Sequence, residues 1–70
     1  MKLHTFDVMN TQGERVGSVT VWCQEEELPE TLAARYPKLK LVALSGCCHW
    51  MLRSRSGAYL GQLRRVREQE

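Results

Sequence analysis

Cys23, Cys47, Cys48 and His49 carry the thiol and imidazole groups that make the donor set of structural zinc. Such sites draw their ligands from pairs two to four residues apart, so that both side chains of a knuckle turn inward. Adjacent Cys47 and Cys48 on a strand would point to opposite faces instead. No C-x-x-C or H-x-x-x-H is present. The expectation is free thiols without metal, with Cys48 in the core and Cys47 near the surface, because cysteine also serves as a small core hydrophobe. Thiol catalysis needs a base within hydrogen-bond reach and a third group to orient it. His49 follows Cys48 in sequence, but strand alternation turns the two apart. There is no paired-carboxylate site, and Gly13 and Gly17 serve a hairpin rather than a phosphate cradle. The residues therefore predict no enzyme and no cofactor.

A second group is basic: Arg53, Arg55, Arg64, Arg65 and Arg67, extended by Lys38 and Lys40. Guanidinium groups in a row suit phosphates and other anions, giving salt-dependent affinity with little sequence reading. Arg53 and Arg55 fall on one face of a strand, and the next strand would return beside them carrying Arg65 or Arg64. Met51 and His49 continue the Arg53 face, and Trp22 or Tyr59 offers a stacking surface for a base. Trp22, Tyr59 and Met51 are equally candidates for a protein-binding hot spot, because an exposed tryptophan on a small domain is seldom idle. The competing reading makes these arginines the solvated face and guarded edge of a sheet.

Charge along the chain supports an anionic partner. Residues 1–30 hold Lys2 and Arg15 against six acids, a balance of −4, whereas residues 31–70 carry eight Lys or Arg against two acids, a balance of +6. From Thr31 through Arg67 there is no acid at all. Such a layout lets a basic face meet an anionic molecule, or one copy's acidic end meet another's basic end.

The elements that must position these residues begin with the most apolar run, Leu39 to Leu52, which reads as two strands joined at Ser45-Gly46. Leu3 to Met9 alternates, with His4, Phe6 and Val8 on one face and Phe6 and Val8 as its core pair. Asn10 to Gly13 is turn chemistry, and Arg15 to Trp22 returns as a β-branched strand. The alternation slips between Val16 and Val19, which predicts a bulge at Gly17. From Gln24 to Tyr36 the period changes, and Leu28, Leu32 and Tyr36 form one helical stripe with Ala33 beside it. Pro29 places the helix start near Leu28 and Pro37 ends it. Cys47 to Arg55 makes the fourth strand, with Trp50 in the core. Ala58 to Val66 fits either a helix or a strand. Gly13-Glu-Arg-Val16-Gly17-Ser-Val19 and Gly57-Ala-Tyr-Leu60-Gly61-Gln-Leu63 share the pattern G-x-x-[VL]-G-x-[VL]. That match, with the cost of about 1 kcal/mol for glycine inside a helix, favours a strand.

The expected fold is a single α+β domain over residues 1–70, one helix on a small, mostly antiparallel sheet in the order β-β-α-β-β-β. The third strand can then pair beside the first, bringing Cys23 and Cys47-Cys48-His49 to the same end of the sheet. At 70 residues the core is small, and open sheet edges favour a homodimer. With no secretory segment and no apolar run near the roughly 20 residues a bilayer needs, a cytoplasmic protein without membrane contact is expected. The functional expectation is a small binding or accessory protein, of a size that suits prokaryotic or phage factors. Its partner would be another protein or its own copy, with nucleic acid at the basic face Arg53, Arg55 and Arg65 as the alternative. A zinc-stabilised domain through Cys23, Cys47, Cys48 and His49 is the remote one.

Overall fold

Alternating apolar residues and two tight turns make this chain a sheet with one helix laid on it. A computed structural model describes residues 1–45 and 48–66. The strands are β1 (Lys2–Met9), β2 (Arg15–Cys23), β3 (Leu39–Ser45), β4 (His49–Ser54) and β5 (Tyr59–Arg65), and α1 spans Leu28–Arg35 behind a 3₁₀ turn at Glu25–Glu27. All neighbours pair antiparallel in the order β2-β1-β5-β4-β3. The expected α+β fold with one helix is the fold observed, and the ambiguous last segment is a strand.

The third strand does not lie beside the first. Short turns keep β3, β4 and β5 adjacent in sequence order, so β3 becomes an edge and only β5 reaches β1. The chain's last strand thus occupies the middle of the sheet. The helix leaves one edge strand, β2, and returns to the other, β3, packing against both. It covers one face and leaves the other bare.

The shared pattern read in the sequence is a shared structure. Gly13 and Gly57 take left-handed φ values of 84° and 97°, and each donates its N–H to the residue that opens its turn: Gly13 to Asn10 O at 3.1 Å, Gly57 to Ser54 O at 2.9 Å. Asn10 and Ser54 then play one part with different chemistry. Asn10 Oδ1 accepts the Glu14 N–H at 2.9 Å, and Ser54 Oγ accepts the Ala58 N–H at 3.0 Å. Both returning strands bulge at the same place. Val8 faces Gly17 and Met9 faces Arg15, leaving Val16 extra, while Leu52 faces Gly61 and Arg53 faces Tyr59, leaving Leu60 extra. β1–β2 and β4–β5 are one hairpin design used twice.

Period-two alternation then fixes the core. Phe6, Val19, Val21, Cys23, Trp50, Leu52 and Leu63 turn to the helix, which contributes Leu28 and Leu32, both fully buried. Gln24 caps the 3₁₀ turn by donating its N–H to Glu27 Oε1 at 3.1 Å, and the acids of that first turn oppose the positive end of the helix. Tyr36 closes the stripe half-buried, with its backbone N–H bonded to Leu32 O at 3.1 Å. Burial raises its phenol above the ordinary value of 10.0, against a smaller downward pull from Arg35. A raised pKa on an acid means that the neutral form stabilises the fold. That stability is complete below about pH 10 and is lost as pH climbs through the raised value. The unfolding midpoint of the wild type should accordingly fall more between neutral and strongly alkaline pH than that of Tyr36→Phe. Equal slopes for the two proteins would contradict this.

Candidate functional site: the bare face of the sheet

The bare face is assembled by strand alternation from every strand. β2 brings Ser18, Thr20 and Trp22, and β1 brings Leu3, Thr5 and Asp7 opposite them in register. Gln62 and Arg64 come from β5, His49, Met51 and Arg53 from β4, and Lys40 and Val42 from β3. Two regions differ in character.

At one corner Trp22 is 59 % exposed and lies directly across from Leu3, itself 55 % exposed. Val66 extends the corner: its N–H donates to Thr5 O at 2.9 Å, and it too is exposed. Of the two tryptophans, Trp50 is in the core as expected, and Trp22 is not.

Toward the other edge the face is cationic. Lys40 stands opposite Arg53, and Tyr59 flanks Arg53 on the far side. The Arg53 guanidinium donates to Gly57 O at 2.7 Å, which anchors it to its own hairpin turn. Arg64 is exposed between Asp7 and His49, and its Nε donates to His49 Nε2 at 3.4 Å. Asp7 is the carboxylate in this set of residues, and it accepts a charge-assisted bond from Arg15 Nε at 2.8 Å. An open depression of about 320 Å³ runs from Met9 and the Asn10–Gly13 turn to Tyr59, Gln62 and Arg64.

The other basic residues part company. Arg55 lies in the β4–β5 turn, exposed, and donates to Pro37 O at 3.2 Å. Lys38 is exposed between α1 and β3. Arg65 does not share the Arg53 face, contrary to expectation. It pairs with Phe6, so it points to the helix side. Arg67 lies outside the described residues.

Arg65 instead builds an internal site that sequence reading missed. His4 is 2 % exposed. Its Nε2 lies 3.1 Å from Cys23 O, where only an N–H can bond a carbonyl. Its Nδ1 is left as a lone pair, which accepts from the Arg65 guanidinium. The same guanidinium meets Glu25 Oε1 at 2.8 Å and sits 5.9 Å from the centre of the Phe6 ring. β1, β2, β5 and the helix start are thereby tied at one point. The available signal is the parity of His4 with Phe6, which places both on the core face.

Of the residues weighed as remote zinc ligands, Cys23 lies apart from Cys48 and His49. Cys23 and Cys48 do lie at the same end of the sheet, as the strand directions require. Two strands separate β2 from β4, however, a gap of about 14 Å at about 4.8 Å per step. Cys23 is buried in the core. Cys48 is exposed rather than buried, and it sits in the turn ahead of β4. Cys47 lies outside the described residues. Among the described residues no three His, Cys, Asp or Glu side chains stand close enough to share a metal, and no helix is long and apolar enough to cross a membrane.

Neither a protein-family model, nor a curated protein, nor a solved structure matches the chain.

Proposed function

We propose that this is a non-enzymatic cytoplasmic binding protein that acts through protein–protein interaction, self-association included, and uses the bare sheet face for a protein partner. The observation that carries the reading is the Trp22–Leu3 pair, two large apolar side chains more than half exposed across from each other. Leaving them in water costs free energy that a partner's apolar group recovers, and tryptophan is the residue most enriched among interface anchors. The cations beyond them suit a partner whose apolar anchor is flanked by carboxylates. The test is Trp22→Ser in a binding assay with a purified partner. A loss of about 2 kcal/mol, roughly thirtyfold in affinity, is expected with circular dichroism unchanged. Unaltered affinity for every partner would remove the bare face from the reading.

Nucleic acid is the second reading, favoured by Lys40 and Arg53 in one row with Tyr59 and by Arg64 farther along β5 opposite His49, where the neighbouring carboxylate Asp7 is already paired with Arg15. In that case retention on single-stranded DNA or RNA falls steeply with salt. Replacing Lys40, Arg53 and Arg64 together by Ser weakens it about equally for unrelated sequences. Arg65, turned inward, should not contribute. No retention at roughly 50 mM salt, where phosphate contacts are strong, ends this reading and leaves protein interaction alone.

A further inference from the structure

We infer that a second copy of this chain pairs with the β3 edge, antiparallel and strand against strand, about a twofold axis at Val42. The inference rests on the self-association in the reading above and gives it a surface.

The two edges of the sheet are finished differently. At the β2 edge the helix-facing residues Val19, Val21 and Cys23 are all buried. At the β3 edge Leu39 and Leu41, on the same face, stay half-buried although they pack on the core. The core is closed on one side and open on the other. Each edge strand has one bulge, and that of β2 lies near its start at Val16. β3 has a register shift of its own, which leaves Leu44 extra between Ala43 and Ser45, but it pairs regularly from Leu39 to Ala43. It contains no proline and no acid, and its one charge is Lys40 near its start. A regular stretch with neither proline nor acid is a template for another strand.

The backbone shows which groups are on offer. Ser54 N–H donates to Ala58 O at 2.8 Å, and Cys48 O accepts Arg65 N–H at 2.8 Å. Even-numbered residues of β4 therefore turn their backbone toward β5. Alternation turns Met51 and Arg53 toward β3, onto their partners Val42 and Lys40. Leu41 and Ala43 are left with N–H and C=O pointing away from the sheet.

A twofold axis at Val42 uses those groups in full. It sets Leu41 against the partner's Ala43 on both sides of the axis, each pair exchanging both hydrogen bonds. It also keeps the two Lys40 side chains about four residue steps, roughly 13 Å, apart. Shifting the axis to Leu41 would bring them within about 7 Å. That register would also need the Leu39 N–H, which already donates to Tyr36 O at 3.1 Å. The half-buried Leu39 and Leu41 gain cover on the helix side. At the axis Val42, 43 % exposed, meets its own copy as a close, non-hydrogen-bonded pair.

Such a pair has Cβ atoms about 4.5–5.5 Å apart, near enough for a disulfide to report the register. Val42→Cys in a Cys47→Ser, Cys48→Ser background should form a covalent dimer when oxidised with glutathione disulfide at micromolar protein. Thr20→Cys, on the opposite edge in the same background, should remain monomeric. Val42→Lys, which sets like charges face to face, should weaken the dimer at least tenfold in sedimentation with circular dichroism preserved. A dimeric wild type in which Val42→Cys cross-links no faster than Thr20→Cys would overturn the β3 edge and leave self-association to another surface. A wild type that sediments as a monomer at high concentration would remove self-association itself, and this edge with it.

Discussion

Replacing Gly61 by alanine is expected to unfold the protein or to leave it barely folded. Gly61 sits in β5 at φ 145°, inside the region that side chains rarely adopt. A Cβ there would lie 2.1 Å from the carbonyl oxygen of Met9 and 3.2 Å from its carbon. Both obstacles are backbone, so no rotamer change relieves them, and β5 would have to leave β1. Strained backbone of this kind costs about 1–3 kcal/mol before any clash, and a chain of this length has only about 4–10 kcal/mol of stability in total. A loss above about 3 kcal/mol is expected, read as the shift in urea midpoint. Gly17 is the internal control. It holds the matching place in the first hairpin, yet a Cβ added to it would meet nothing within 4 Å, and its φ is not left-handed. Gly17→Ala should cost within about 1 kcal/mol. An alanine at 61 that unfolds at the wild-type midpoint would mean that β1 and β5 do not approach so closely.

The contrast between these two glycines also shows what the sequence makes legible. Local chemistry reads well, because turns, bulges and caps are set by residues a few positions apart. Asn10-Thr-Gln-Gly13, the slip at Val16-Gly17, and Leu28 with Leu32 and Pro37 all form the features that their spacing predicts. Sheet order reads poorly, since the contact of β1 with β5 joins strands from opposite ends of the chain and leaves no local mark. Without it the environment of Gly61 is invisible, and the third strand is free to be placed beside the first. The functional face is misread for a smaller reason. On an unbroken strand Tyr59 and Arg65 share a face, which puts Arg65 beside Arg53. The extra residue Leu60 reverses that parity, exposing Arg64 and turning Arg65 inward. The repeated pattern holds the answer, because the first hairpin already implies a bulge before its second glycine. Exposure of Trp22 is open in the sequence for the same kind of cause: its face depends on the register of β2 against Leu3.

Arg64 and Arg65 should therefore respond oppositely to the same substitution. Arg64→Met removes a solvent-exposed cation whose described hydrogen bond, to His49, is long at 3.4 Å. Its cost should stay within about 0.5 kcal/mol. Arg65→Met keeps the length of the side chain but takes away every donor. His4 Nδ1, in a residue 2 % exposed, is then left as a buried acceptor without its guanidinium. Such an orphaned group costs about 1–3 kcal/mol. The ion pair with Glu25 is lost as well, though the carboxylate side is 51 % exposed and water can take over there. Apolar contact with Phe6 survives in the methionine, so the loss measures the polar site rather than the packing. A destabilisation of about 2 kcal/mol is expected for Arg65→Met in urea unfolding. His4→Phe should then restore part of it, because it removes the orphaned Nδ1, though it also gives up the bond to Cys23 O. For binding the order reverses. Arg64→Met should weaken attachment to any anionic partner, while Arg65→Met, measured well below its lowered unfolding midpoint, should leave it unchanged. If Arg65→Met instead unfolds like the wild type and loses anion binding, then Arg65 belongs to the bare face, and the parity drawn from the Leu60 bulge is wrong.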